Sequence, residues 1–183
     1  ACAGAGGKTL HLADLMQRKG SITASDRRVF KLDELRLRAR RASFPNIRTR
    51  EWKGKALPER RGGFDGVLVD APCTCSGTWR RNPDGRWTTT AADVTDVVDL
   101  QRQLLGNAAV AVKPGGVLVY ATCSLFEREN LGAVEHFLAE NTHFRLESFI
   151  EPLSGNDVQG TLQIWPWQGD CDAMFAARFR RQL

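Results

Sequence analysis

Phe64-Asp65-Gly66-Val67-Leu68-Val69-Asp70 is the stretch whose reading decides the fold. It is nearly continuously apolar, as a strand buried on both faces of a parallel sheet should be. Val117 to Thr122 (VLVYAT) has the same character. Between the two, a long helix is expected over about 93–112, stopped by Lys113-Pro114-Gly115-Gly116. Upstream, the patterning predicts a helix over 8–19, a short strand from Ser21 to Ser25 ending at Asp26, an Arg-rich helix over 28–41 and a strand from Asn46 to Arg50. A polar, Pro-containing loop fills 71–90. Downstream come a helix over 127–140 and two strands, near 143–149 and 173–180, expected to pair antiparallel. Short strands alternating with helices predict an α/β fold with a mostly parallel sheet and an antiparallel closing strand.

The chain has 183 residues, enough for one domain with a sizeable core. Its hydrophobic fraction of 42% and charged fraction of 26% are those of an ordinary soluble protein. No apolar run approaches the roughly 20 residues needed to cross a bilayer, and no signal-peptide pattern opens the chain. A soluble, cytoplasmic monomer is expected. Net charge is +5, which favours polyanionic partners. The arginines cluster at Arg36, Arg38, Arg40 and Arg41, at Arg60 and Arg61, at Arg80 and Arg81, and at Arg178, Arg180 and Arg181. Five cysteines (Cys2, Cys73, Cys75, Cys123, Cys171) form an odd set, for which reduced thiols are the default. Their spacing holds a single Cys-x-Cys pair where zinc sites use two paired spacings, so no metal is expected.

The chain opens on Ala1-Cys2-Ala3-Gly4-Ala5-Gly6-Gly7-Lys8-Thr9. Glycines before a helix let the backbone approach a ligand, and the helix N-terminus favours negative charge. A phosphate-binding P-loop would need glycine at position 2, which is Cys2. A dinucleotide fingerprint would need glycine at position 9, which is Thr9. An adenosyl ligand that carries a carboxylate and no phosphate remains open. Asp26, about 20 residues on at a strand end, sits where a carboxylate would hold ribose hydroxyls. A strand normally precedes such a turn, so an N-terminally shortened domain is expected.

Asp70-Ala71-Pro72-Cys73 follows one buried strand and Thr122-Cys123-Ser124 follows the other. Loops at the carboxyl ends of strands line the ligand crevice of open α/β sheets, so both thiols should face one site. Here the chain resembles the RNA 5-methylcytosine methyltransferases of the Sun/Fmu type. The resemblance runs through CAGAGGKT, FDGVLVDAPC with GTWRRNPDGRW, KPGGVLVYATCSLFEREN and DCDAMFAARFRR, in order over nearly the whole chain. Ala5 departs from a usual proline, and Cys75 and Trp79 stand where smaller residues are frequent.

The resemblance implies a Rossmann-like class I methyltransferase with S-adenosylmethionine as cofactor, held by Cys2, Ala3, Gly4, Ala5, Gly6, Gly7, Lys8, Asp26, Glu51 and Asp70. It assigns the nucleophile to Cys123 and product release to Cys73. It places Asp70 on the amino edge of cytosine and makes RNA, ribosomal or transfer, the partner. The chemistry suits these groups. Carbon 5 of cytosine is a poor nucleophile until a thiolate adds to carbon 6, which is covalent catalysis. A free thiol is only a few per cent ionised at pH 7, so a nearby cation such as Lys8 would help. A stacked base is out of reach of recessed thiols, so the target must be flipped out or unpaired. Arg80, Arg81 and the Arg178–Arg181 segment are candidate phosphate contacts, and Trp79 and Trp87 candidate stacking groups. The rival readings are a methyltransferase on another acceptor such as DNA, and a non-catalytic RNA-binding remnant. His11, His136 and His143 attract no role.

Overall fold

Two parallel strand pairs, each bridged by a helix, carry the architecture of the computed structural model. It describes residues 1–54, 63–152 and 154–183; Arg60 and Arg61 lie outside the described residues. The chain divides into two compact units, Ala1–Lys55 and Ala56–Leu183.

In the first unit α1 (Gly7–Leu15) precedes β1 (Ile22–Asp26), α2 (Val29–Arg41) and β2 (Ile47–Glu51). Strands β1 and β2 are parallel, with Ile22 opposite Ile47 and Asp26 opposite Glu51. Leu32, Leu35 and Ala39 recur at helical spacing on α2 and are buried. Leu35 and Ala39 pack with Ala24, against which Ala3, Leu10 and Ile47 also lie. Helix α1 ends at Leu15 instead of reaching 19, because Gln17 and Arg18 adopt left-handed backbone (φ 50° and 62°).

The second unit starts with β3 (Phe64–Asp70) and its loop. That loop, expected to be irregular, contains a 3-10 turn at Ser76–Thr78 and a short helix α3 (Asp84–Thr88). Helix α4 (Ala91–Ala109) begins at a capping box in which the Thr90 hydroxyl accepts from the Asp93 N–H and the Asp93 carboxylate accepts from the Thr90 N–H. Strand β4 (Val112–Thr122) takes in the Lys-Pro-Gly-Gly segment expected to lie before it. Phe64 pairs with Val112 and Gly66 with Val117, so those residues form a bulge inside the ladder, with Gly115 at φ 73°.

After a 3-10 turn at Glu127–Glu129 come α5 (Leu131–Glu140), β5 (Phe144–Leu146), β6 (Phe149–Ile150), β7 (Asp157–Val158), β8 (Thr161–Ile164) and β9 (Met174–Arg181). Strands β3 and β4 are parallel, and β9 runs antiparallel to β4. The expected antiparallel pair forms between β5 and β9. Strand β8 also pairs with β9, and β6 and β7 make a small hairpin; neither feature was expected. Phe175, Ala177 and Phe179 alternate inward along β9 and are fully or nearly buried.

Candidate active site

In the first unit the glycine turn is shaped by its backbone. Cys2, Gly4 and Gly6 all have positive φ (55°, 53° and 88°). The Ala3 N–H donates to the Ser25 carbonyl (2.9 Å) and the Gly4 N–H to Asp26 Oδ2 (2.8 Å). Asp26 is only 3% exposed, and its Oδ1 accepts from the Arg28 N–H (2.9 Å) and Nε (3.3 Å). Burial alone would push this carboxyl up, but the Arg28 and Gly4 N–H groups and the Arg28 guanidinium hold it below the usual carboxylate range. The Ala5 carbonyl accepts from Arg38 Nη1 (2.8 Å), so this arginine of the basic cluster braces the turn. Lys8 is exposed on the first turn of α1. Glu51 is exposed at the end of β2 and pairs with Lys53 (3.4 Å).

The second unit brings the strand-exit cysteines together. Asp70 closes β3, and the Ala71 N–H continues the ladder to the Ala121 carbonyl (2.9 Å). Cys73 Sγ lies 3.3 Å from Cys123 Sγ across 50 residues of chain, and 3.9 Å from Cys75 Sγ. Three thiols this close share protons. Hydrogen bonds from Cys123 and Cys73 hold the Cys75 thiol down to about 3. Hydrogen bonding to Cys123 and Cys75, then burial, push the Cys73 thiol far above its ordinary range. At Cys123 the hydrogen bond with Cys73 pulls down, but Cys75, burial and the charges of Cys75 and Asp70 together push the thiol up to about 11. The three thiols titrate as one coupled set, in which a first thiolate would be stabilised by the S–H groups around it and would oppose a second ionisation.

Glu129, fully buried, fixes both loops. Its carboxylate accepts from the Thr74 N–H (3.0 Å) and hydroxyl (2.6 Å), the Ser124 hydroxyl (2.6 Å) and Gln101 Nε2 (2.9 Å). Gln101 Nε2 also donates to the Pro72 carbonyl (2.9 Å). Asn130 Oδ1 accepts from the Thr122 hydroxyl (2.6 Å), and its Nδ2 donates to the Ser124 carbonyl (2.9 Å). The Gly77 N–H donates to the Cys123 carbonyl (2.9 Å), an approach only glycine allows: a Cβ there would meet that oxygen at 2.8 Å and the Ala173 oxygen at 2.6 Å.

Sequence reasoning passed over Glu129, Gln101, Thr74 and Cys75. A signal existed for Gln101, which interrupts the buried stripe Val94, Val98, Leu104, Leu105, Ala108 of α4. Glu129 stood in the quoted motif as the acid of the Glu-Asn pair after Thr-Cys-Ser, without a role. Thr74 gave no signal, because it meets Glu129 across 55 residues, and Cys75 gave none, because Cys123 lies 48 residues beyond it.

The candidate phosphate contacts are already engaged. Arg80 pairs with Asp170 (2.5 Å) and Asp172 (3.6 Å), and Arg81 with Asp172. Arg178 and Arg180 share Glu147 (2.6 and 2.7 Å), while Arg181 Nη1 donates to the Val112 carbonyl. Trp79 packs edge-on against Phe126 (6.0 Å between centroids) and Trp87 is 80% exposed, with the Arg86 guanidinium 5.5 Å from its ring. Both tryptophans line a cleft with Ser76, Gly77, Arg80 and Arg86, beside the cysteine loop.

Parallel strand pairs with a glycine turn at one helix start, and paired thiols at two strand exits, are the features of a class I, Rossmann-like S-adenosylmethionine-dependent methyltransferase with a mixed sheet, the fold of the matching structures. The chain belongs to the family of the 16S rRNA methyltransferases RsmB/F, whose model matches residues 1–180. It is 34% identical over 186 residues to ribosomal RNA small subunit methyltransferase B of Shewanella oneidensis, covering 97% of this chain and 41% of that protein. The crystal structure of PH0851 superposes with a TM-score of 0.90 at 37% identity, over 98% of this chain and 41% of that one. NSun6 from Pyrococcus horikoshii follows with a TM-score of 0.83 at 28% identity, over 97% of this chain and 46% of that one. The chain thus spans 38–42% of the length of the curated relatives it matches.

The family fold implies S-adenosylmethionine as cofactor. The turn fits such a ligand: a Cβ added at Gly4 or Gly7 would meet nothing within 4 Å, which leaves open space against the backbone. No helix among the described residues is long and apolar enough to cross a membrane.

Proposed function

We propose that this chain transfers a methyl group from S-adenosylmethionine to carbon 5 of a cytosine in RNA, ribosomal or transfer, through a covalent bond between Cys123 and the base. The observation that carries the reading is the 3.3 Å approach of the two strand-exit thiols, Cys73 and Cys123.

When bound, S-adenosylmethionine supplies an electrophilic methyl group on a sulfonium. In the first unit the turn from Cys2 to Lys8 would hold the donor through its backbone, where Gly4 and Gly7 leave open space. Asp26 takes the ribose hydroxyls in exchange for Arg28, whose exposed guanidinium is the replaceable partner of its Oδ1 (side chain 54% exposed). In the second unit Asp70 holds the amino edge of the flipped-out cytosine. Cys123 attacks as its thiolate, having given its proton to solvent. Its sulfur bonds to carbon 6, and the ring electrons pass to carbon 5, which becomes nucleophilic toward the methyl group that the bound cofactor would supply. The carbon 5 proton then passes to solvent water, the carbon 6–sulfur bond breaks with its electron pair leaving on Cys123 as thiolate, and the aromatic ring is restored, with Cys73 assisting release. Trp87 and Arg86 offer a stacking face for a neighbouring base.

A trapping experiment tests this. With RNA and S-adenosylmethionine, Cys73→Ala should accumulate a protein–RNA adduct that survives denaturation, and Cys123→Ala should form none. Adduct in equal yield from both variants would overturn the role assignment. Calorimetric titration with S-adenosylmethionine checks the cofactor separately, and a folded protein that gave no heat of binding would remove the methyltransferase reading.

A further inference from the structure

The third thiol of the cluster has no part in that reaction. Cys75 is exposed and sits at φ 56°, a left-handed conformation that costs a non-glycine residue about 1–2 kcal/mol. The strain is held in place: the Cys75 carbonyl accepts from the Thr78 N–H (2.9 Å) and hydroxyl (2.9 Å), opening the 3-10 turn. A glycine would take this backbone without penalty, so the cysteine presents a sulfur at a cost the turn alone does not explain.

The sulfurs of Cys73, Cys75 and Cys123 all lie within 4.8 Å of one another, two of the separations being 3.3 and 3.9 Å. A zinc–thiolate bond of about 2.3 Å sets tetrahedral ligand sulfurs about 3.8 Å apart, inside this range. One face of the cluster is open at Cys75, and the other two thiols are half-buried, so an ion has both an entry and a partly dry site. The two loops that carry the sulfurs are pinned to one another through Glu129 and Gly77, so little ordering remains for a metal to impose.

We propose that Cys73, Cys75 and Cys123 form a three-thiolate site for a thiophilic divalent cation of the zinc class, and that filling it takes the reacting thiols out of use. Soft thiolate ligands select such ions over magnesium or calcium. Ligation leaves all three sulfurs deprotonated, the displaced protons going to solvent, so a divalent ion on three thiolates has a net charge of −1 and a fourth position for water. Metal capture itself stands apart from the methyl-transfer reading; only the inhibition rests on it.

The test is titration of the reduced, metal-free full chain with Cd2+, following the ultraviolet charge-transfer band of cadmium–thiolate bonds, with Zn2+ as competitor. One equivalent per chain is expected, with release of protons and protection of Cys73 and Cys123 from alkylation that a chelator reverses. Cys75→Gly, which suits the left-handed backbone, should weaken binding at least about 10-fold and lose about a third of the band. A Cys2→Ser/Cys171→Ser double variant should keep both. No stoichiometric band in the wild type, or a band unchanged in Cys75→Gly, would overturn the site. Metal capture without methylation would sink the proposed reaction alone; methylation without metal capture would sink this site alone.

Discussion

In the first unit the glycine turn is closed by backbone N–H donors, that of Gly4 onto the Asp26 carboxylate only 22 residues away and that of Ala3 onto the Ser25 carbonyl, whereas in the second unit Cys73 meets Cys123 across 50 residues and Thr74 meets Glu129 across 55. Closing the longer loop costs only about 0.7 kcal/mol more, so separation is not what distinguishes them. The difference lies in the atoms. The turn spends backbone strain, with three positive-φ residues in its first six positions, to hold one carboxylate. The thiol cluster spends a buried carboxylate, Glu129, to satisfy donors from three separate segments. A turn of the first kind should fail through sterics and a cluster of the second through unsatisfied polar groups.

The largest effect should come from Glu129→Ala. Removing the carboxylate strands the donors of Thr74, Ser124 and Gln101 in the interior at about 1–3 kcal/mol each when unsatisfied, so a loss of at least about 3 kcal/mol is expected. Thermal unfolding measures it, and diamide oxidation should join Cys73 to Cys123 more slowly as the loops separate. An unchanged melting temperature would remove Glu129 from its place in the comparison.

Gly6→Ala should come next, at roughly 2–4 kcal/mol, since its φ is 88° and a Cβ would lie 2.5 Å from Cγ of the buried Leu35. Gly4→Ala, at φ 53° but facing open space, should cost about half that. Equal losses would show that backbone strain alone, without the approach to Leu35, governs the turn.

Asp26→Asn sharpens the comparison through pH. The folded-state pKa of Asp26 lies below its unfolded value near 3.8, so its contribution is complete above that value and is lost as pH falls through the folded one. The wild type should therefore melt higher than Asp26→Asn at pH 7, with the gap closing in acid below pH 3.8. A gap that widened on acidification would reverse the assigned sign. Smallest of all, Glu147→Gln should cost no more than about 1 kcal/mol, because its partners Arg178 and Arg180 sit near the surface where ion pairs are weak. A larger loss in chemical denaturation would mean that this pair organises β9.

Much of the fold was readable in advance. β3 matched its expected span residue for residue, and β1 and β2 fell within a residue of theirs. The expectation that β3 is buried on both faces failed, since among the described residues it pairs with β4 alone and only Val69 of it is buried. The Lys-Pro-Gly-Gly segment misled, because proline and glycine mark a stop in a helix and a bulge in a strand with equal force; only the β3–β4 register chose between them. The short strands β6, β7 and β8 carry too few residues to show a period.

Each unit holds candidate residues that were legible in advance, and the second holds those that were not. The sequence by itself determined the glycine turn with its distant aspartate and the placing of Cys73 and Cys123 at strand exits, since each depends on local pattern and on the general rule that such exits face the ligand crevice. Only the tertiary structure decided that Cys75 joins them, that Glu129 and Gln101 hold them, and that the arginines of β9 are already paired. Spacing along the chain shows one Cys-x-Cys pair and no metal; the fold adds a third sulfur from 48 residues beyond Cys75, because ligand geometry is set by distance in space.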